Sequence, residues 1–153
     1  MGSQPHQSNC PSFYFSCAGI AIENSGGATG KHAGLIEIAY NTIKPGQYGR
    51  AIALREQNRG ACRCPYSTDP HWVRNIWVHH NTVDVTNGLK NEPMIGGVVD
   101  TGNQQMFHSR NIKFDYNDYT GFGTTHFFTW RNWGFYDFAA WQRFGQDTHS
   151  TMH

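Results

Sequence analysis

Three segments of the chain are versions of one another: LIEIAYNTI at 35–43, NIWVHHNTV at 75–83 and NIKFDYNDY at 111–119 keep their apolar residues and one Asn at matching places. Aligned on Asn41, Asn81 and Asn117 they are separated by 40 and 36 residues, inside the window of about 20 to 50 in which self-similarity signals a repeat architecture. Within each copy the apolar residues alternate, Ile36 with Ile38, Ile76 with Val78, Ile112 with Phe114. That is the period of a strand with one buried face.

A second set of strands lies between the copies. GIAIEN at 19–24, AIALRE at 51–56 and GGVVDT at 96–101 align with Ile22, Leu54 and Val99 in one column. From these residues to the next Asn the spacings are 19, 27 and 18, so the middle copy carries a longer loop, placed around CRCPYSTDP. The expected unit is strand, turn, strand, with loops of variable length at the surface. No segment of helical period separates the strands, which excludes a doubly wound α/β sheet. Parallel strands then require successive coils of chain to stack, and the expected fold class is all-β: a parallel β-helix of about three to four coils with a short C-terminal helix. The Asn residues are expected to stack at a turn, each amide bonding to its neighbour or to turn backbone. An antiparallel sandwich is the rival, but it gives no reason for the same Asn at the same strand end three times.

The segments GIAIEN, NIWVHHNTV and NIKFDYNDY, followed by FFTWRNWGFYDFAAWQRFGQDTHST, resemble the C-terminal part of secreted bacterial right-handed parallel β-helix repeat proteins, allied in fold to pectate lyases. The pattern W-Q-x-x-G-Q-D-x-H-S at 141–150 is the more specific part, and the resemblance covers roughly residues 18 to 151. It implies a right-handed solenoid, a lyase or glycoside hydrolase scaffold, a polysaccharide partner and an extracellular or cell-surface location. Relatives of this kind are usually longer, so a C-terminal fragment is expected, with end-to-end self-association as one way to cover open coil ends. The expected organisation is an irregular segment at 1–17, coils over 18–128, and an aromatic segment at 129–153. In that last segment Asp137 is placed to N-cap a helix carrying Phe138, Trp141 and Phe144, stopped at Gly145.

Strand parity assigns faces. If Ile76 and Val78 point inward, Trp77 and His79 point outward, Trp77 in a row with Glu37 and Lys113, His79 with Ala39 and Asp115. His80 falls beside the Asn turn, matching Tyr40 and Tyr116. The plainest reading makes His79 an exposed strand residue and His80 a turn residue of aromatic character; zinc would need further ligands converging there, so no metal ligand is assigned. In the other sheet Glu23, Arg55 and Asp100 are expected to form an outward carboxylate, guanidinium, carboxylate row, with Glu56 beside Arg55. Carboxylates can serve as acid and base, and Arg can bind an anionic sugar group. Glu23 and Asp100 are therefore the candidate catalytic pair, or ligands for Ca²⁺, with Arg55, Glu56, Trp77 and His79 as candidate substrate-binding residues. A surface charge row that only keeps a sheet soluble is the alternative, and with it a non-catalytic structural or adhesion β-helix, or an incomplete fragment with no independent activity.

Composition adds exclusions. Twelve Lys and Arg against 11 Asp and Glu give a formal charge of +1, which offers nothing to nucleic acid or an anionic membrane. The apolar runs fall short of the roughly 18 residues of a membrane span, and MGSQPHQSNC lacks the basic and apolar regions of a signal peptide. Cys10, Cys17, Cys62 and Cys64 lack zinc-knuckle spacing, and bridge or free thiol stays open.

Overall fold

The structure, a computed structural model, describes residues 18–24, 35–45, 50–56, 73–86, 95–99, 104–121, 128–130 and 134–153. Among these residues it is all-β apart from one short α-helix and a 3-10 turn, and the ladders are parallel except for one short pair. The strands are β1 (Ile20–Asn24), β2 (Ile36–Ala39), β3 (Thr42–Ile43), β4 (Ile52–Glu56), β5 (Ile76–His79), β6 (Thr82–Asp84), β7 (Ile95–Val99), β8 (Ile112–Asp115), β9 (Asp118–Thr120), β10 (Phe128–Trp130), β11 (Gly134–Tyr136) and β12 (Thr151–Met152); α1 spans Phe138–Arg143.

The chain visits three sheets in turn. The first sheet has the order β1-β4-β7-β10-β11, the second β2-β5-β8, and the third β12-β9-β6-β3. Each circuit thus uses three strands, not the two expected. The short strands after the Asn were hidden because Tyr40, His80 and Tyr116 take left-handed φ values of 58°, 52° and 55°, breaking what looks like one continuous strand into two. The arrangement is compatible with a β-helix-like fold.

Register in the second sheet follows the expected alignment: Ile36, Ile76 and Ile112 pair in one row, Glu37, Trp77 and Lys113 in the next, then Ile38, Val78 and Phe114, then Ala39, His79 and Asp115. In the first sheet β1 and β4 also pair as expected, Ile22 with Leu54 and Glu23 with Arg55. The third member is displaced by two residues. Leu54 pairs with Gly97, Arg55 with Val98 and Glu56 with Val99, so Val99 is not in the Leu54 column and Asp100 does not oppose Arg55.

Packing explains the displacement. A Cβ on Gly97 would stand 2.6 Å from Met106 Cε and 3.0 Å from the Trp130 ring. The inward position is filled by side chains arriving from the 3-10 turn Gln104–Phe107 and from β10, so the sequence shows a glycine where a buried apolar residue was sought. Gly96 has φ +125°, and a Cβ there would lie 2.1 Å from the Thr129 carbonyl oxygen, so only glycine lets the two strands approach.

Between the sheets runs one apolar core, with Ile52, Leu54, Ile76, Val78, Val83, Ile95, Phe114, Tyr119, Phe128 and Trp130 all essentially inaccessible to water. Helix α1 closes its C-terminal end. Asp137 caps the helix by accepting from the Ala140 N–H at 2.7 Å, and Trp141 stacks on Phe128 and meets Phe114 and Trp130 edge-on. Gly145 follows at φ +79°. Gln146 then covers the free edge of β8: its Oε1 accepts from Phe114 N at 2.9 Å while Asp147 N donates to Phe114 O at 2.7 Å. Strand edges left open invite pairing with other chains, and here one side-chain amide and one backbone N–H occupy it.

Candidate functional site

The Asn column forms as its spacing implies. Asn41 Nδ2 donates to Asn81 Oδ1 at 2.9 Å and Asn81 Nδ2 to Asn117 Oδ1 at 3.0 Å, and each Oδ1 also accepts the backbone N–H of the preceding Asn. The pattern W-Q-x-x-G-Q-D-x-H-S ends this column. Asp147 Oδ1 accepts from Asn117 Nδ2 at 2.9 Å, and Ser150 Oγ accepts from Asn117 N at 2.7 Å, together replacing the oxygen of a fourth Asn. Asp147 is buried, and Tyr119 Oη, Trp141 Nε1 and Ser150 Oγ also donate to its carboxylate. Burial pushes its pKa up against the pull of these donors. The same burial, with the Asp147 charge beside it, raises the Tyr119 phenol well above its ordinary value.

Beside the Asn column stands a second one made of rings. Tyr40 stacks on His80 at 5.1 Å between centroids, His80 on Tyr116 at 5.3 Å and Tyr116 on His149 at 4.9 Å, close to the roughly 4.8 Å strand spacing that sets their separation. All four residues are exposed. Left-handed φ costs an ordinary residue about 1 kcal/mol, and stacking in register offsets it.

The outward face of the second sheet joins this ring column. Trp77 and His79, two residues apart on β5, lie with centroids 3.8 Å apart. His79 is directed outward as parity requires, yet it is only 3% exposed, which corrects the expectation of an exposed strand residue. Its neighbours cover it: Nε2 meets Glu37 Oε1 at 2.7 Å, and Nδ1 meets His80 Nδ1 at 2.7 Å. Next to it Asp115, also buried, receives Lys113 Nζ at 2.9 Å, His149 Nδ1 at 2.9 Å and the His149 backbone N–H at 2.9 Å. Burial alone would raise the Asp115 pKa, but the hydrogen bonds from His149 and Lys113 outweigh it and hold it at about 2.

The first sheet gathers less. The β1 and β4 backbones bring Glu23 and Arg55 into register; the Glu23 side chain and Asp100 lie outside the described residues. Glu56 shares the inward parity of Ile52 and Leu54, is 2% exposed, and accepts from Val73 N at 2.9 Å. Its place is at the turn into the second sheet, near Arg74 and Arg110; there burial draws the Arg110 pKa down, the Glu56 charge opposes that and Arg74 adds to it. Trp130 and Trp141 are core residues. All four cysteines, Trp72, Trp133, His71 and His126 lie outside the described residues. Among the described residues no group of three His, Cys, Asp or Glu side chains is placed to hold a metal ion, and no helix is long and apolar enough to cross a membrane.

Of the candidate substrate-binding residues, Trp77 and His79 therefore come together with Glu37, His80, Lys113, Asp115, Tyr116 and His149, while Arg55 and Glu56 belong to another sheet. His149 was missed because its segment does not look like a strand repeat. Thr151 pairs with Asp118, so His149 and Ser150 stand where Tyr116 and Asn117 stand one circuit earlier, and alignment of THST with DYND would have found it. No family model, no curated protein and no solved structure matches the chain.

Proposed function

We propose that this chain forms a right-handed parallel β-helix of the pectate-lyase-like type that binds a polysaccharide along the outward face of β2, β5 and β8. The observation that carries the reading is the exposed ring column Tyr40, His80, Tyr116 and His149 beside Trp77, Glu37 and Lys113. Sugar polymers offer hydroxyls together with apolar C–H faces, and a rigid strip of ring edges, ended by the 77% exposed Tyr40 and flanked by hydrogen-bonding groups, answers both. The rings are spaced by the sheet, so a ligand meets a surface that needs no ordering on binding.

A non-catalytic structural role is the second reading, favoured by one observation: Asp115, Lys113 and His149 satisfy one another. Affinity electrophoresis against a panel of neutral and acidic polysaccharides separates the two. Binding by the wild type, weakened at least about fivefold in Trp77→Ala and Tyr40→Ala, is expected from stacking contributions of about 1 kcal/mol or more each. A folded wild-type protein that binds none of them, or variants that bind as well as wild type, would overturn the carbohydrate reading.

A further inference from the structure

Glu37, His79 and His80 form a hydrogen-bonded chain whose direction is set at one end. Glu37 Oε1 lies 2.7 Å from His79 Nε2, and as a carboxylate it can only accept, so that nitrogen carries the proton. In a neutral His79 the other nitrogen, Nδ1, is then an acceptor. It lies 2.7 Å from His80 Nδ1, which must supply the hydrogen between them. A neutral His80 protonated at Nδ1 has a bare lone pair at Nε2. That atom belongs to an exposed ring held between Tyr40 and Tyr116, and no hydrogen bond engages it among the described residues.

We propose that Glu37, acting through His79, fixes His80 as an outward acceptor, and that His80 Nε2 takes a hydrogen bond from a hydroxyl of a neutral sugar polymer. The ligand class rests on the carbohydrate reading above and narrows it. Two acceptors stand together on this part of the face, His80 Nε2 and the half-exposed Glu37 carboxylate, and acceptors require donors. A hydroxyl supplies one, whereas a uronate carboxylate would bring a third acceptor. The cation of the face, Lys113, is engaged by Asp115 at 2.9 Å. The other titratable groups around His80 are Tyr40 on the first circuit, Asp115, Tyr116 and His149. Within this triad His79 is a positioning residue, Glu37 orients it through Oε1, and His80 meets the ligand through Nε2.

The two parts are tested by one ¹⁵N NMR experiment on the whole chain, because imidazole nitrogen shifts separate protonated from bare nitrogens. With both rings neutral, His79 is expected as the Nε2–H form and His80 as the Nδ1–H form. Glu37→Lys presents only N–H donors to His79 Nε2, so it is expected to reverse both, and Glu37→Asp to keep the wild-type pattern in part. His80 found as the Nε2–H form, or a pattern indifferent to Glu37→Lys in a folded protein, overturns the proposal. Neutral xylo- and gluco-oligosaccharides and oligogalacturonate are then titrated in. A shift at His80 Nε2 with a neutral oligomer supports the ligand class. A response to oligogalacturonate alone overturns that class, and no response to any of them overturns it together with the carbohydrate reading, while the tautomers are decided separately.

Discussion

Asn81 is the middle of the Asn column and the most exacting place to test it. Its side chain is 1% exposed. The two hydrogens of Nδ2 are shared among Ile38 O at 2.9 Å, His79 O at 3.0 Å and Asn117 Oδ1 at 3.0 Å, and Oδ1 accepts from Asn41 N at 3.1 Å and Asn41 Nδ2 at 2.9 Å. Two donated and two accepted bonds, at about 1 kcal/mol net each, put Asn81→Ala at about 3 to 4 kcal/mol. That is a large share of the roughly 5 to 15 kcal/mol that holds a domain together. Asn41 is half-buried and among the described residues its side chain makes two bonds, donating to Ala39 O and Asn81 Oδ1, so Asn41→Ala should cost about 1 to 2 kcal/mol. Asn81→Asp is the sharper variant. It keeps the shape but turns an oxygen toward Ile38 O, His79 O and Asn117 Oδ1, so it should be worse than Ala despite being isosteric. Urea unfolding followed by circular dichroism reads all three, and with a slope of about 2 kcal/mol per M the Asn81→Ala midpoint falls by roughly 1.5 to 2 M. An Asn81→Ala cost no larger than that of Asn41→Ala, or an Asn81→Asp protein as stable as wild type, would refute the column as a source of stability.

Two further outcomes follow from the same structure. Asp115 is held at about 2 in the fold against 3.8 as its ordinary value; a lowered native pKa makes its ion contacts worth about 2 kcal/mol above pH 3.8, and that contribution disappears as pH falls from about 3.8 through 2. Asp147, raised by burial, works in the opposite sense and favours the fold as it is protonated above pH 3.8, so urea midpoints across acid pH should turn sharply downward only below that point, and Asp115→Asn should lack the downturn; an equal downturn in the variant would exclude Asp115 as its source. Gly96→Ala should cost more than about 3 kcal/mol, since its Cβ would meet Thr129 O at 2.1 Å with φ at +125°, whereas Gly145→Ala, at φ +79° with open space, should cost about 1 kcal/mol; thermal melts that rank the two the other way would contradict the close approach of β7 and β10.

What the sequence determined by itself was whatever depends on period and on a residue's own stereochemistry. The alternation in NIWVHHNTV and its copies set the second sheet's register to the residue, because slipping by one position would turn Trp77 and His79 into the apolar core and Ile76 and Val78 to the outer face. The Asn column followed from identical spacing, and the α1 cap from Asp137 and Gly145. The first sheet could not be aligned in this way. Gly97 stands in an inward position filled from elsewhere by Met106 and Trp130, so volume there is decided by chain segments distant in sequence.

The outward face was legible as rows and illegible as chemistry. Parity placed Glu37, Trp77, His79, Lys113 and Asp115 correctly beside one another, but whether His79 meets water depends on side chains from β2, β5 and the turn, which no alternation encodes. Asp147 was further out of reach, since a buried carboxylate makes sense only where Asn117, Tyr119, Trp141 and Ser150 all converge on it. Local pattern fixes which way a side chain points. Only the tertiary structure decides what it finds there, because burial and hydrogen bonding are set by neighbours the chain brings back about 30 to 40 residues later.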